Sequence, residues 1–365
     1  MKKVGILTLP LNDNYGGLLQ AVALSGFLSQ HGFEVVFLKN EYFKNKWKSL
    51  VWSAIARIPF QNVNGARYAH KKRVLHKAFI KNHIPRRTRT LRSIEDFKSI
   101  VKQEKLDAII VGSDQVWRWD YILDGYERYF LSFVDGSKVR KISYAASFGK
   151  PQWQAAEKLD EVSKLLADFH AVSARESDGV AICQQLARKD SQLVVDPTLL
   201  VKPNFYDQFL IKAKHVSEQK TLLTYVLDEQ GKKKDFINAI HESLGTDYAV
   251  KSLGLQSDRT APEWVTAFHD ADYVITDSFH GMAFSIMFNK PFVVIGNSHR
   301  GVSRFTSLLQ QLDLVSRMVD ESSLEKYSVK DLVSHKIDYN EINTKLQLLR
   351  EKSANFLMNA LEATR

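Results

Sequence analysis

Four short polar clusters in this chain hold the residue types that do acid–base or anion chemistry: Asn14-Tyr15-Gly16-Gly17, Ser113-Asp114-Gln115-Val116-Trp117, Ser173-Ala174-Arg175-Glu176 and Asp277-Ser278-Phe279-His280-Gly281. His280 is the only imidazole among them. It titrates near neutrality and suits proton transfer, although a helix cap is its plainer alternative. Asp114 and Glu176 are carboxylates able to accept from sugar-type hydroxyls, and each can equally be a capping or solvated group. Arg175 offers a planar fork that meets a carboxylate or phosphate at two points, which an ammonium cannot do. Gly16 and Gly17 let a helix start approach an anion or a hydroxyl closely, or simply serve a tight turn.

Such groups need a frame, and each cluster follows a short apolar run. Val4 to Thr8, Ala108 to Val111, Ala171 to Ser173 and Ala271 to Thr276 are β-branched or apolar on both faces, as buried parallel strands are. Lys141 to Ala145 and Leu193 to Val195 add two more. Helical spacing separates them: Leu18, Leu19, Val22, Leu24, Phe27 and Leu28 share a broad apolar face, and Met282 to Phe288 forms a short apolar helix that Asn289-Lys290-Pro291 stops before the strand Phe292 to Ile295. Alternation of strand and helix in both halves predicts doubly wound α/β architecture, in which ligands bind at the carboxyl ends of the strands. The clusters lie at those ends. A turn at Val201-Lys202-Pro203 marks the boundary between a first domain, 1–200, and a second, 201–340. Residues 341–365 are expected to form a terminal helix free to pack back on the first domain.

At 365 residues, with 44% hydrophobic and 25% charged, the composition is that of a globular protein. No apolar run approaches the roughly 20 residues that span a bilayer. The single cysteine, Cys183, excludes an internal disulfide and a cysteine zinc cluster, and its helical context suits a small buried residue. A cytoplasmic protein is expected. The eleven histidines show neither HExxH nor paired ligand spacing, and the first loop has neither GxGxxG nor GK[ST]. Neither a metal nor a tightly bound cofactor is therefore expected.

Together with Val194-Val195-Asp196-Pro197-Thr198-Leu199-Leu200 and the Asn289 to Ile295 run, the four clusters resemble the polysaccharide pyruvyl transferase family, in consistent order from residue 4 to about 312. The resemblance implies two Rossmann-like domains facing across a cleft, GT-B-like. It implies phosphoenolpyruvate as co-substrate and a sugar hydroxyl pair as acceptor, giving a pyruvate ketal on a cell-surface or exopolysaccharide precursor, lipid-linked or free. Arg175 matches a family arginine taken to bind the donor, and His280 matches the family's acid or base histidine, with Asp114 its expected catalytic partner. Asn14, Tyr15, Gly16, Gly17 and Glu176 are expected against the acceptor. Ser278 stands where members often carry arginine, so Arg300 or Arg304 is expected to supply the second donor anchor; otherwise the donor is a different molecule. Two other classes stay open, a GT-B-like glycosyltransferase using a nucleotide sugar and a non-catalytic glycan- or anion-binding protein.

Charge is uneven. The chain carries 51 basic and 41 acidic residues, and the stretch Arg67 to Arg92 alone holds ten Lys or Arg and no acid. It follows an amphipathic stretch with Trp47 and Trp52, and 41–92 reads as an insertion in the first domain. Tryptophan flanked by basic residues is the pattern of an interfacial helix, which predicts peripheral attachment to an anionic membrane, packing on its own domain being the alternative. No nucleic-acid motif accompanies the charge, so nucleic acid is not an expected partner. Nothing in the sequence fixes an oligomeric state.

Overall fold

Strands that are apolar on both faces must be covered on both faces, and in a computed structural model of the chain helices cover them. The structure describes residues 1–11, 14–41, 64–84, 86–134, 138–211, 219–227, 229–254, 258–296 and 301–362. Most of the expected amphipathic stretch, and Arg300, lie outside the described residues. The chain divides into two units, Met1–Leu200 with Arg350–Arg365, and Val201–Leu349.

The first unit holds β1 (Lys3–Leu7), α1 (Tyr15–Gln30), β2 (Glu34–Phe37), α2 (Asn64–His83), α3 (Ile94–Glu104), β3 (Ala108–Val111), β4 (Arg140–Ser143), α4 (Leu159–Ala167), β5 (Ser173–Ala174), α5 (Ser177–Gln185) and β6 (Gln192–Leu193). Its main sheet is parallel, in the order β2-β1-β3-β4. Bridges from Ile142 to Ala171 and from Ala146 to Ala174 carry the pairing on to β5, which pairs with β6. At the opposite edge the backbone around Arg87 to Leu91 pairs with β2 and the residues after it. Asn14 caps α1 by accepting from the Gly16 N–H at 3.0 Å, and nearly every residue of this helix is buried, hence its lack of a polar face. Trp117 stacks on Phe130 with ring centroids 5.4 Å apart and donates from Nε1 to the Tyr129 carbonyl at 3.0 Å, closing one core. Cys183 is buried in that core, where burial pushes its thiol pKa up.

The second unit holds β7 (Lys220–Tyr225), α6 (Lys232–Leu244), β8 (Tyr248–Ser252), α7 (Ala261–Asp270), β9 (Tyr273–Thr276), α8 (Phe279–Met287), β10 (Phe292–Gly296), α9 (Ser303–Gln311) and β11 (Met318–Asp320). The parallel sheet runs β11-β10-β9-β7-β8. One face packs on Phe236, Ile237 and Ile240 of α6. The other meets an aromatic cluster in which Trp264 lies 4.4 Å from Phe268 and 5.0 Å from Phe284 between centroids. The terminal helix α10 (Tyr339–Glu362) starts in the second unit and ends in the first. There Arg350 Nε donates to the Leu199 carbonyl at 2.7 Å, and Lys2 and Arg140 donate to the Leu361 and Ala360 carbonyls at 2.8 and 2.9 Å. Cations at a helix C-terminus complement its dipole and its orphan carbonyls.

The stretch of basic residues lacks acids only along the chain. In space Arg86 pairs with Glu34 and Glu104, Arg89 with Asp96 at 2.5 Å, and Arg92 with Glu41 at 3.2 Å.

Candidate functional site

In both sheets the first strand of the unit is flanked by its second and third, so the chain reverses its winding between β1 and β3, and again between β7 and β9. Crevices at such reversals receive ligands in open α/β folds, and the polar clusters fall beside both.

In the first unit Thr8 leaves β1 while Ser113 and Asp114 leave β3. Gln20 of α1 ties the two ends together. Its Nε2 donates to Thr8 Oγ1 at 3.1 Å and to the Gly17 carbonyl at 2.8 Å, and its Oε1 accepts from the Ser113 N–H at 3.1 Å. Gly112 has φ +133°, and a Cβ there would stand 2.1 Å from the Tyr144 carbonyl oxygen, so glycine is required where β3 turns out of the sheet. Asp114 follows at φ +70°, and its Oδ2 would lie 3.2 Å from a Cβ on Gly17. The carboxylate therefore sits against the first turn of α1, where the helix dipole favours negative charge.

The sequence predicts that Arg175 offers its fork to a ligand; in the structure both prongs are taken by protein carboxylates. The side chain is fully buried, with Nη1 2.7 Å from Asp196 Oδ2, Nη2 3.3 Å from Asp114 Oδ1 and Nε 3.8 Å from Glu176 Oε2. Burial works against its charge, but Asp196, Asp114 and Glu176 outweigh burial and hold the guanidinium protonated. Asp196 also lies 2.8 Å from Ser113 Oγ and accepts from Thr198, at 3.0 Å from N and 2.8 Å from Oγ1. Glu176 turns Oε1 to the amides of Phe148 and Gly149, at 2.9 and 3.4 Å. Asn14 spends its side-chain oxygen on the cap of α1, and Tyr15 is buried with its ring 5.1 Å from His76. Gly16 and Gly17 are buried in the same turn.

In the second unit β9 ends at Thr276 and α8 begins at Phe279. Thr276 Oγ1 donates to the Tyr225 carbonyl at 2.7 Å and accepts from the Ser278 N–H at 3.1 Å, pinning the turn to β7. Asp277 Oδ1 accepts from the Leu227 N–H at 2.8 Å. Ser278 occupies the N-cap position without a side-chain cap bond. His280 is buried in the first turn, its ring edge-on to Phe279 at 5.3 Å. A Cβ on Gly281 would stand 2.2 Å from Thr276 Oγ1, so glycine is what lets the helix start this close to the strand. Arg304 is buried in the first turn of α9.

The structure thus brings Asp114, Arg175 and Glu176 into one network, with Ser113 and Asp196, and sets His280 and Ser278 together at a second strand end. Sequence reasoning assigned no role to Asp196, Gln20 or Lys233. Asp196 lies in a quoted motif, but nothing in Val-Val-Asp-Pro-Thr says that its carboxylate is buried. Lys233 is one of three consecutive lysines, and only the fold distinguishes it. No group of three or more side chains suited to a metal occurs among the described residues, and no described helix is long and apolar enough to cross a membrane.

The UDP-N-acetylglucosamine 2-epimerase of Rickettsia bellii is similar in structure, with a TM-score of 0.53 at 11% identity over 99% of this chain and 97% of its own. A mutant of S. aureus TarM, solved with fondaparinux, α-GlcNAc-glycerol and UDP, gives 0.52 at 9% identity over 100% of both chains. S. aureus MnaA with UDP gives 0.51 at 12% over 98% and 96%. At such identities the likeness shows the fold alone, which is GT-B-like α/β with parallel sheets. No curated protein matches the chain. The sequence pattern of the polysaccharide pyruvyl transferases does match, over residues 14–299, a span that opens at the cap of α1 and passes both strand-end clusters, and the chain belongs to that family of transferases of polysaccharide biosynthesis.

Proposed function

We propose that the protein transfers the pyruvyl group of phosphoenolpyruvate to two hydroxyls of a glycan precursor and releases inorganic phosphate. The observation that carries this reading is a buried histidine in the first turn of α8, at a strand end beside the point where the winding reverses, within a chain of this family. In the reaction two C–O bonds form at C2 of the donor and the bond from C2 to the phosphate oxygen breaks. Of the two hydroxyl protons, one ends on C3, turning methylene into methyl, and the other leaves with phosphate. Protonation at C3 places cationic character on C2, so the acid must reach carbon before or as the acceptor oxygen attacks.

His280 delivers that proton, since imidazole titrates near neutrality and a buried ring in a fixed turn keeps its direction. Ser278 and the first turn of α8 face the donor, and Arg304, with Arg300, supplies its cationic anchor. Asp114 takes a proton from an acceptor hydroxyl, with Glu176 and the turn Asn14 to Gly17 beside the sugar. Arg175 acts through Asp114, holding its carboxylate rather than the donor, because its own fork is already spent on Asp114 and Asp196. The test is phosphate release from phosphoenolpyruvate across a panel of glycan acceptors. Release that depends on acceptor supports the reading; consumption of a nucleotide sugar with no phosphate release from phosphoenolpyruvate would replace it by the glycosyltransferase reading.

A further inference from the structure

Three lysines open α6, and they do not behave alike. Lys232 and Lys234 are exposed, whereas the Lys233 side chain keeps 3% of its surface and turns beneath the carboxyl ends of the strands. Its Nζ lies 3.4 Å from Oδ2 of Asp277, a side chain with no exposed surface, and 3.1 Å from Oε1 of Glu321, just beyond β11. Asp277 uses its other oxygen on the Leu227 N–H at 2.8 Å, in the loop after β7. One ammonium therefore ties together the segments that follow three different strands, β7, β9 and β11. Burying an ammonium costs several kcal/mol before its partners repay it, and an apolar side chain of similar length would fill the space without that cost. A lysine here implies that the place needs a charge.

What the charge holds is the turn that carries His280. Ser278 makes no side-chain cap bond, so the usual device for fixing a helix start is missing. The turn is fixed instead by Thr276 Oγ1 and by the Asp277 carboxylate, three residues ahead of His280. We propose that Lys233 is a positioning residue for His280: by neutralising and anchoring Asp277 it sets the first turn of α8, and with it the direction of the imidazole. The inference rests on the pyruvyl-transfer reading for its kinetic consequence but not for its structural one. Glu321 completes the pairing on the exposed side, with its side chain 31% exposed.

The experiment uses Lys233→Met, Lys233→Arg and the double variant Lys233→Met/Asp277→Asn in the full chain. The first readout is the His280 imidazole resonance in histidine-labelled protein, assigned by its loss in His280→Gln. The second is kcat and KM for donor-dependent phosphate release. Lys233→Met is expected to move or broaden the His280 resonance and to lower kcat by about tenfold or more, with the donor KM within about twofold, since a misdirected catalytic group costs turnover rather than binding. Lys233→Arg restores most of both. The double variant recovers part, because the stranded carboxylate is gone, and it serves as the readable variant should Lys233→Met fail to fold. An unmoved His280 resonance in a folded variant overturns the proposal, and so does retained kcat or a loss confined to KM. If the wild type releases no phosphate with any acceptor, the functional reading fails and the resonance alone decides the role of Lys233.

Discussion

Gly281→Ala puts a methyl group where the structure has no room. Its Cβ would stand 2.2 Å from Thr276 Oγ1, 2.9 Å from Thr276 Cβ and 3.1 Å from Tyr225 Cδ1, in a region without solvent. The hydroxyl cannot turn aside freely, because it donates to the Tyr225 carbonyl and accepts from the Ser278 N–H. Rotating it sacrifices both bonds, at about 0.5–1.5 kcal/mol each. Moving the helix start outward instead disturbs a packed core, at about 1–3 kcal/mol. Either route gives a loss of about 1–3 kcal/mol, which urea denaturation at equilibrium measures directly. Thr276→Ala removes the oxygen in the way, so in the double variant the two costs should fall short of additivity by about 1 kcal/mol or more. The glycine also adjoins His280, so turnover should fall at temperatures where Gly281→Ala is still folded. Stability of Gly281→Ala within about 0.5 kcal/mol of wild type, or strict additivity in the double variant, would refute the reasoning.

His280→Gln should leave the fold intact and cut phosphate release by about 100-fold or more, the scale of a lost general acid, as steady-state kinetics will read. Arg175→Met strands the buried carboxylates of Asp196 and Asp114 and should cost about 3–5 kcal/mol in denaturant unfolding, with Arg175→Lys intermediate because one ammonium cannot span both. A raised donor KM in a fully stable Arg175→Lys would place the fork on the donor after all. Asp96, in the capping box of α3, is held below the ordinary carboxylate range chiefly by the Arg92 N–H, with Arg89 helping. A depressed pKa stabilises above the unfolded-state value and is lost as pH falls through the folded one, so Asp96→Asn should flatten the fall in stability below about pH 4, measured by denaturation across pH.

The strands were legible because burial on two faces writes an unbroken apolar run: Ala108–Val111, Tyr273–Thr276 and Phe292–Gly296 need no context to be read. Met318–Asp320 was not, being three residues at a sheet edge with too short a run to show a period. Helix α4 starts at Leu159, past Trp153, which spends its Nε1 on the Ala155 carbonyl and packs its ring against Trp119 and Phe148 in a loop, a set of contacts that no helical spacing announces. Polar residues after apolar runs marked where the strands end, because a strand end is local. Their partners were illegible, because pairing is not local. Arg175 meets Asp196 and Asp114, 21 and 61 residues away, and Lys233 meets Asp277 44 residues on. The same reason explains the basic stretch, whose arginines find Glu34, Glu41, Asp96 and Glu104 across the fold.

The central claim is a proton delivered by His280 to the methylene carbon of phosphoenolpyruvate as a ketal forms on a glycan. Nuclear magnetic resonance of the product, made in heavy water from carbon-13-labelled donor, tests it most directly. The account predicts that the label appears as a ketal carbon on the glycan, its methyl group carrying one deuterium, in amounts equal to the phosphate released and nearly abolished in His280→Gln. A labelled ketal formed at the wild-type rate by His280→Gln, or label left wholly in phosphoenolpyruvate whatever the acceptor, would contradict it.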